Sequence, residues 1–199
     1  MNFLVFIDFP AAKRVIAAKF TVKGLIVGVL RLFIAIDLDG AMTDYLLALQ
    51  KEIVSSQKNF SGRLVGKENL HLTLAFIGET SRVEDVKKVL GKTVFSPFDI
   101  NLDYVGEFKK TGVIYVSVKS GGLFSLAGDI SSRLTKAGFT QEGRKYTPHI
   151  TLIRRTEAVE ILPQIKLSPV MTVREIALKK SGYMGGRLVY TDIFKQRSL

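Results

Sequence analysis

The 199-residue sequence contains no cysteine and no tryptophan, and it has only two histidines. Without cysteine the chain has no disulfide bond and no thiolate metal site, which suits a reducing compartment. Charged residues interrupt every apolar stretch before it reaches the ~18–20 residues of a membrane-spanning helix. The N-terminus also lacks the basic region that precedes the apolar part of a secretory signal. We therefore expect a cytoplasmic protein with no membrane segment.

Several well-known catalytic motifs are missing too. The sequence has no Gly-rich dinucleotide turn, no P-loop, no Gly-x-Ser-x-Gly elbow and no His-Glu-x-x-His helix. Two histidines without cysteine fall short of the three protein ligands that are typical of catalytic zinc. The sequence therefore predicts neither a metal nor a cofactor.

One charge sign is in excess. Lysine and arginine number 29 against 18 aspartate and glutamate residues, which gives a formal charge of +11. An excess of this size favours polyanionic partners such as nucleic acid, because binding releases counterions. Many small proteins are basic for solubility alone, so the charge makes nucleic acid only a favoured partner.

Hydrophobic patterning predicts interleaved strands and helices. Helical spacing of apolar residues predicts helices over 41–56, 82–92 and 123–137, the last stopped by Gly138. Short apolar runs and period-two alternation predict strands at 32–36, 70–77, 98–105, 113–118, 149–153, 170–178 and 187–194. The fold class is α/β or α+β, and periodicity alone does not decide between them.

An internal repeat is more informative than these local patterns. VGKENLHLTLAFIGE (65–79) and GRKYTPHITLIRRTE (143–157) share the pattern Lys-x-x-x-His-[Leu/Ile]-Thr-Leu. The matching pairs are Lys67 with Lys145, His71 with His149, Thr73 with Thr151, and Leu74 with Leu152. The repeat indicates two similar lobes related by a pseudo-twofold axis, with a groove between them.

The repeated residues suit phosphodiester chemistry. Side chains alternate along a strand, so His71 and Thr73 face one way, as do His149 and Thr151. One imidazole can take a proton from water while the other protonates the leaving oxygen, and the hydroxyls can donate to phosphate oxygens. A lone histidine on an apolar strand is usually structural, but here both histidines of the chain occupy equivalent places.

Residues 31–199 resemble the two-histidine (2H) phosphoesterase superfamily. Within it they are most similar to the RNA 2′,3′-cyclic phosphodiesterases of bacteria and archaea, also called 2′–5′ RNA ligases. RLFIAID (31–37) resembles the first strand of that family, and ENLHLTLAFIGE (68–79) and TPHITLIR (147–154) resemble its two motifs. The ending EIALKKSGYMGGRLVYTDI is similar to its closing hairpin, with Ser181 and Tyr190 in place. The tryptophan that the family often has near Leu64 is absent.

The resemblance implies an α+β, bilobal fold: two pseudo-twofold-related lobes, with antiparallel sheets facing a central groove and helices outside. It implies metal-independent hydrolysis of an RNA 2′,3′-cyclic phosphate end to a 2′-phosphate, with reverse 2′–5′ ligation and a role in tRNA processing. By family role, His71 is the proton donor and His149 the proton acceptor that activates water. Thr73 and Thr151 hold the phosphate, and Arg154 binds substrate. The repeat lysines Lys67 and Lys145 are further candidates for substrate binding.

Other interpretations stay open. The same fold can act on a small cyclic nucleotide or an ADP-ribose cyclic phosphate, and an RNA-binding module without catalysis is a third hypothesis. Three lysine and arginine pairs are candidates to follow an RNA backbone: Lys109-Lys110, Arg154-Arg155 and Lys179-Lys180. Three tyrosines are candidates to stack on bases: Tyr115, Tyr146 and Tyr183.

The domain prediction separates residues 1–29 from a single domain at 30–199. Members of the family begin just before the RLFIAID strand, so residues 1–29 are either an N-terminal extension or the product of a start placed too early. We favour a native start near Val29 or Leu30. We expect the domain to be monomeric.

Overall fold

The computed structural model of the protein describes residues 20–22, 25–140, 143, 145–156, 163–165 and 168–199. The segment predicted as an N-terminal extension, residues 1–29, lies mostly outside the described residues. Within it, strands β1 (Phe20–Val22) and β2 (Leu25–Val27) pair antiparallel. The status of residues 1–29 therefore stays a prediction.

The main sheet contains nine strands, and all of their pairings are antiparallel. They are β3 (Leu30–Asp37), β4 (Arg63–Leu64), β5 (His71–Thr80), β6 (Phe98–Phe108), β7 (Val113–Lys119), β8 (His149–Arg154), β9 (Met171–Val173), β10 (Glu175–Met184) and β11 (Arg187–Arg197). Their order is β11-β10-β3-β5-β8-β7-β6-β9, and β4 pairs with β8 outside this path.

The strand order divides into two halves that meet between β5 and β8. We name β11-β10-β3-β5 the first lobe, which carries His71, and β8-β7-β6-β9 the second lobe, which carries His149. Each lobe places its motif strand innermost, so the two lobes are related as the sequence repeat predicts. The two motif strands also pair directly, with Leu72 opposite Ile150. The bilobal α+β fold is confirmed.

Three helices complete the described fold: α1 (Gly40–Ser55), α2 (Val83–Gly91) and α3 (Leu123–Lys136). The carboxylate of Asp39 begins α1 by accepting a 2.8 Å hydrogen bond from the Met42 amide. Gly138, at a φ of 80°, follows the end of α3, as the sequence predicts.

The helices and one face of the sheet form a common core. Leu46, Leu90 and Ile130 of the helices belong to it, and each is fully buried. Ile34 and Leu72 contribute from the strands. Because side chains alternate along each strand, the histidines next to these buried residues lie on the opposite face.

The three predicted helices agree with the structure to within about two residues at each end, a usual uncertainty of helix boundaries. The single strand predicted at 170–178 is wrong. The chain makes two strands there, with Arg174 between them, because β9 pairs with β6 in the second lobe while β10 pairs with β3 in the first. Strand β4 was not predicted at all.

Among the described residues, no helix is both long enough and apolar enough to cross a bilayer.

Candidate active site

The two motif strands have the same burial pattern. Over HLTLAF of β5 and HITLIR of β8, the residues run half-buried, buried, half-buried, buried, buried, exposed. The half-buried positions are those of His71, Thr73, His149 and Thr151. The imidazole and hydroxyl groups of each motif therefore share the face that is not packed against the helices.

The two consecutive buried residues in β5 mark a β-bulge. Ala35 of β3 lies opposite Thr73, but the next residue, Ile34, lies opposite Ala75. Leu74 is thus an extra residue in β5. Because a bulge shifts the alternation by one, Phe76 returns to the face of His71.

The second motif strand has the same bulge at the equivalent leucine. Tyr115 of β7 lies opposite Thr151, while Ile114 lies opposite Ile153, which makes Leu152 the extra residue. Arg154 is thereby brought to the face of His149. Phe76 and Arg154, each five residues after its histidine, occupy equivalent places, and both are exposed.

Direct pairing of the motif strands brings the four candidate residues together. Since Leu72 lies opposite Ile150 in an antiparallel pair, position 71 lies beside 151 and position 73 beside 149. Each histidine therefore has the threonine of the other lobe as its cross-strand neighbour. Within the described part of the chain, neither threonine hydroxyl forms a hydrogen bond.

Both histidine rings are fixed by the same backbone contact. Nδ1 of His71 lies 2.8 Å from the carbonyl oxygen of Asn69, and Nδ1 of His149 lies 2.8 Å from that of Thr147. A carbonyl oxygen only accepts, so Nδ1 carries the proton in each ring. Nε2 is then the nitrogen that can exchange a proton with a ligand.

The surroundings of His71 lower its pKa to about 4. Burial is the largest cause, because it disfavours the charged ring, and the positive charges of Lys179 and Arg154 act in the same direction. The hydrogen bond to Asn69 and the charge of Asp37 act against them. His71 is therefore neutral in the free protein at neutral pH.

Aromatic rings from the first lobe enclose His71. Its ring centroid lies 5.0 Å from that of Phe33 and 5.1 Å from that of Tyr190, the latter edge-on. Tyr190 lies opposite Ser181 in the β10–β11 pair, so both residues expected from the family's closing hairpin are at the site. The aromatic contact explains much of the burial of His71.

His149 has its own aromatic neighbours from the second lobe. The rings of Phe108 and Tyr115 lie 5.2 Å and 5.6 Å from it, both at steep angles. Phe108 and Tyr115 stack on each other at 4.1 Å. Tyr115, a candidate for base stacking, is thus buried beside a histidine instead.

The other two tyrosines differ in exposure. The Tyr146 hydroxyl donates a 3.1 Å hydrogen bond to the Thr73 carbonyl, which connects the second-lobe loop to the first motif strand. Burial raises the pKa of Tyr146. Tyr183 is 75% exposed near the tip of the β10–β11 hairpin.

Lys179 does not have the role considered for it. It was a candidate to follow an RNA backbone, but it is buried and forms ion pairs with Asp37 at 2.6 Å and with Asp192. Lys180 alternates to the other face of β10 and is half-buried. Because Lys179 is buried and held by two ion pairs, its charge acts on His71 and is not available to an RNA backbone.

The repeat lysines lie at loop positions. Lys67 begins a single 3₁₀ turn, Lys67–Asn69, and forms an exposed ion pair with Asp44 at 3.2 Å. Lys145 is exposed in the loop before β8. The described contacts do not bring either lysine to the histidines, whereas the charge of Arg154 acts on His71.

Three aromatic residues of the site were not predicted: Phe33 and Phe108, whose rings contact the histidines, and Phe76, whose ring lies 6.3 Å from that of Phe33. A sequence signal existed only for Phe76, because it stands five residues after His71 as Arg154 stands five after His149. Among the described residues, no group of three potential metal-ligand side chains is close enough to hold an ion.

Known proteins match this chain in sequence. The family model of the 2′-5′ RNA ligase superfamily matches residues 47–181. An RNA 2′,3′-cyclic phosphodiesterase of Escherichia coli is 31% identical over 167 residues, which cover 82% of this chain and 93% of that protein. One from Archaeoglobus fulgidus is 30% identical over 177 residues, covering 82% and 98%.

Solved structures match its fold. The crystal structure of E. coli LigT complexed with 3′-AMP gives a TM-score of 0.78 at 29% identity, and covers 85% of this chain and 98% of that one. TT0787 of Thermus thermophilus gives a TM-score of 0.73 at 25% identity, with 84% and 97% covered. The bilobal sheet is therefore shared with both.

Proposed function

The chain belongs to the 2′-5′ RNA ligase superfamily, and from this premise we propose that it hydrolyses RNA 2′,3′-cyclic phosphate ends to 2′-phosphates. One observation carries the proposal. Two imidazoles lie on adjacent strands, each with Nδ1 held by a carbonyl and Nε2 left for a ligand. Relatives that cover most of this chain are RNA 2′,3′-cyclic phosphodiesterases.

The proposed reaction needs one base and one acid. His149 removes a proton from water as its oxygen attacks the phosphorus, and His71 gives a proton to the 3′ oxygen as the P–O3′ bond breaks. The products are a 2′-phosphate and a 3′-hydroxyl. The two histidines exchange charge state during turnover and are reset by proton exchange with solvent.

Because its pKa is lowered, His71 lacks the proton that it must give to the 3′ oxygen. A neutral imidazole with Nδ1 already protonated has no proton at Nε2 to give, so His71 must take one up before the leaving oxygen departs. The anionic cyclic phosphate stabilises the imidazolium and raises the pKa of His71 when it binds. Substrate binding and proton uptake at His71 are therefore coupled.

The cyclic phosphate is bound by Thr73, Thr151 and Arg154. Both hydroxyls share a face with the histidines, and Arg154 reaches that face through the bulge at Leu152. Hydroxyl donors and a guanidinium stabilise the charge that develops on the non-bridging oxygens. Lys67 and Lys145 lie in the segments that precede the two motif strands, and their contact with substrate stays a prediction.

The same groups serve 2′–5′ ligation. When the 5′-hydroxyl of a second RNA takes the place of water, its oxygen bonds to phosphorus as the cyclic P–O3′ bond breaks, which gives a 2′–5′ phosphodiester. His149 then takes the proton from the 5′-hydroxyl, and His71 again protonates O3′. Incubation with a 5′-hydroxyl RNA and analysis of the linkage tests this activity.

The decisive experiment uses an RNA oligonucleotide with a 2′,3′-cyclic phosphate, in the presence of a chelator. We expect conversion to the 2′-phosphate, identified by ³¹P NMR against both monophosphate standards. A 3′-phosphate product, or no product, would overturn the proposal. Retention of activity with the chelator also tests the prediction that no metal is needed.

Parallel assays separate the competing hypotheses. Faster turnover of a nucleoside 2′,3′-cyclic phosphate or an ADP-ribose cyclic phosphate than of the oligonucleotide would favour a small-molecule substrate. Salt-sensitive RNA binding without any product would favour a binding module. E. coli LigT, which is similar to this chain, has been crystallised in complex with 3′-AMP, and this supports a nucleotide substrate.

We further expect a monomeric, cytoplasmic protein that acts in tRNA processing. Its excess of positive charge, +11, suits an RNA partner. Light scattering on the purified protein measures the mass in solution, and fractionation of native cells measures the location.

A further inference from the structure

Two arginines lie directly opposite each other at the end of the second motif strand. Arg63 of β4 pairs in register with Arg154 of β8, and both are exposed. Like charges directly opposite in an antiparallel pair are destabilising. An anion that lies between or above the two guanidinium groups would relieve this repulsion.

The arginine pair lies on the same face as the candidate active site. The bulge at Leu152 brings Arg154 to the face of His149 and Thr151, and directly opposed residues of an antiparallel pair share a face. Arg63 is therefore on that face too. Because of the bulge, the pair occupies the next position after Thr151 on that face of β8. This spacing suits two phosphates separated by one nucleoside.

Two lysines extend the positive charge around the pair. The turn that holds Lys109 and Lys110 lies against the end of β8, where the Thr156 amide donates a 3.0 Å hydrogen bond to the Gly112 carbonyl. Gly112 has a φ of 58°, and a Cβ there would lie 2.5 Å from the Thr156 carbonyl oxygen. The close approach keeps the turn beside the strand that carries Arg154.

No carboxylate of the described residues forms an ion pair with this group of cations. Within the described ranges, none of Arg63, Arg154, Lys109 or Lys110 forms an ion pair. Glu107 lies opposite Ile114, which is buried on the helix side of the sheet. Its carboxylate is therefore on the other face from the arginine pair.

We propose that Arg63 binds a second phosphate, the internucleotide phosphodiester immediately 5′ to the terminal nucleoside of the substrate RNA, and that Arg154, which also contacts the cyclic phosphate, lies between the two phosphates. Lys109 and Lys110 attract the chain beyond it. This inference rests on the proposed function and adds to it: the protein distinguishes an RNA end from a lone cyclic nucleotide through Arg63.

The test compares three substrates: adenosine 2′,3′-cyclic phosphate, its 5′-phosphorylated form, and the dinucleotide ApA with a 2′,3′-cyclic phosphate end. We expect Arg63→Gln to lower kcat/KM for the dinucleotide about tenfold, because a charge-assisted contact is lost. The loss for adenosine 2′,3′-cyclic phosphate should be several times smaller. Arg63→Lys should recover part of the loss, and Lys88→Gln on α2 serves as a matched surface control.

The outcomes separate this inference from the proposed function. Failure of the wild-type protein to open any of the three substrates would refute the proposed function itself. Equal losses on all three substrates, or no loss, would refute the second phosphate site while leaving the function intact. A loss confined to the 5′-phosphorylated nucleoside would refute the assignment to an internucleotide phosphodiester.

Thermal unfolding supplies the second readout. Since Arg63→Gln removes a like-charge pair, its Tm should equal or exceed that of the wild type without ligand. A clearly lower Tm would show that Arg63 supports the fold, which would contradict the proposal.

Discussion

The two lobes repeat a backbone arrangement but surround it differently. Each places a His-x-Thr-Leu strand innermost, with a bulge at the leucine and the imidazole Nδ1 held by the carbonyl two residues earlier. In the first lobe, burial and the charge of Lys179 lower the pKa of His71 to about 4, and Lys179 is itself paired with Asp37 and Asp192. A duplicated backbone thus places two imidazoles in the same way while giving them different neighbours.

The fifth residue after each histidine shows the same division. The equivalent bulges bring Phe76 to the site in the first lobe and Arg154 in the second. An exposed aromatic ring suits a nucleobase, whereas a guanidinium suits a phosphate. The two lobes therefore present chemically different side chains at equivalent places.

Replacing either histidine tests whether both lobes are needed. We expect His71→Ala and His149→Ala each to lower kcat by about 10³-fold on a cyclic-phosphate oligonucleotide, because each removes one proton-transfer group. The double variant should lose little more than either single one, since the groups act in one step. Substantial activity in one single variant would show that one lobe suffices.

Replacing Lys179 tests the feature peculiar to the first lobe. Lys179→Met should lower the free energy of unfolding by about 1–3 kcal/mol, because Asp37 and Asp192 lose the buried cation between them. The pKa of His71 should rise, since a nearby positive charge is removed. Denaturant unfolding and an NMR titration of the imidazole measure the two effects.

Lys180→Met is the matched control for this experiment. Lys180 is the next residue of β10, points to the other face and has no ion pair with another described residue. If both variants lost the same stability, the ion pairs of Lys179 would have no special importance.

Replacing the threonines tests whether the lobes contribute equally to phosphate binding. Thr73→Val and Thr151→Val should each lower kcat/KM about tenfold, because valine keeps the shape and removes the donor. Thr→Ser at the same positions keeps the hydroxyl and should retain most of the activity. Steady-state kinetics on one oligonucleotide would show whether either hydroxyl is dispensable.

The acid sensitivity of unfolding follows from the pKa of His71. In the unfolded chain that ring has an ordinary pKa near 6.5, whereas in the folded protein it is about 4. The unfolded state therefore binds more protons between these values, so stability is fully present above about pH 6.5 and declines toward pH 4. In His71→Gln this part of the decline should disappear.

Urea midpoints at pH 7 and pH 5 measure this effect, with Lys88→Gln as the control that retains His71. If the midpoint of His71→Gln fell with pH as steeply as that of the control, burial of a neutral His71 would not contribute to acid sensitivity.

Much of the fold was predictable because it is encoded locally. Apolar periodicity located the helices, and the repeat located both motif strands with His71 and His149 on one face. The two bulges were not predictable, since an extra residue is visible only against the partner strand. The face of Arg154 depends on one of them.

Other features depend on contacts between distant residues. The sequence presents Lys179 as half of a charged pair, and only the neighbouring strands reveal Asp37 and Asp192 beside it. Arg63 stands in a polar stretch whose two-residue strand forms only by pairing with β8. The surroundings of Lys179 and Arg63 therefore depend on strand pairing between distant parts of the chain, and no local sequence pattern indicated them.

The most direct test of the divided roles changes the leaving group. A nucleoside 2′,3′-cyclic phosphate with sulfur in place of O3′ needs little proton donation, because a thiolate leaves readily. On this substrate we expect the loss of kcat in His71→Ala to be at least about 10²-fold smaller than on the oxygen substrate. The loss in His149→Ala should be the same on both substrates. Recovery by His149→Ala instead of His71→Ala would contradict the assignment of donor and acceptor to the two lobes.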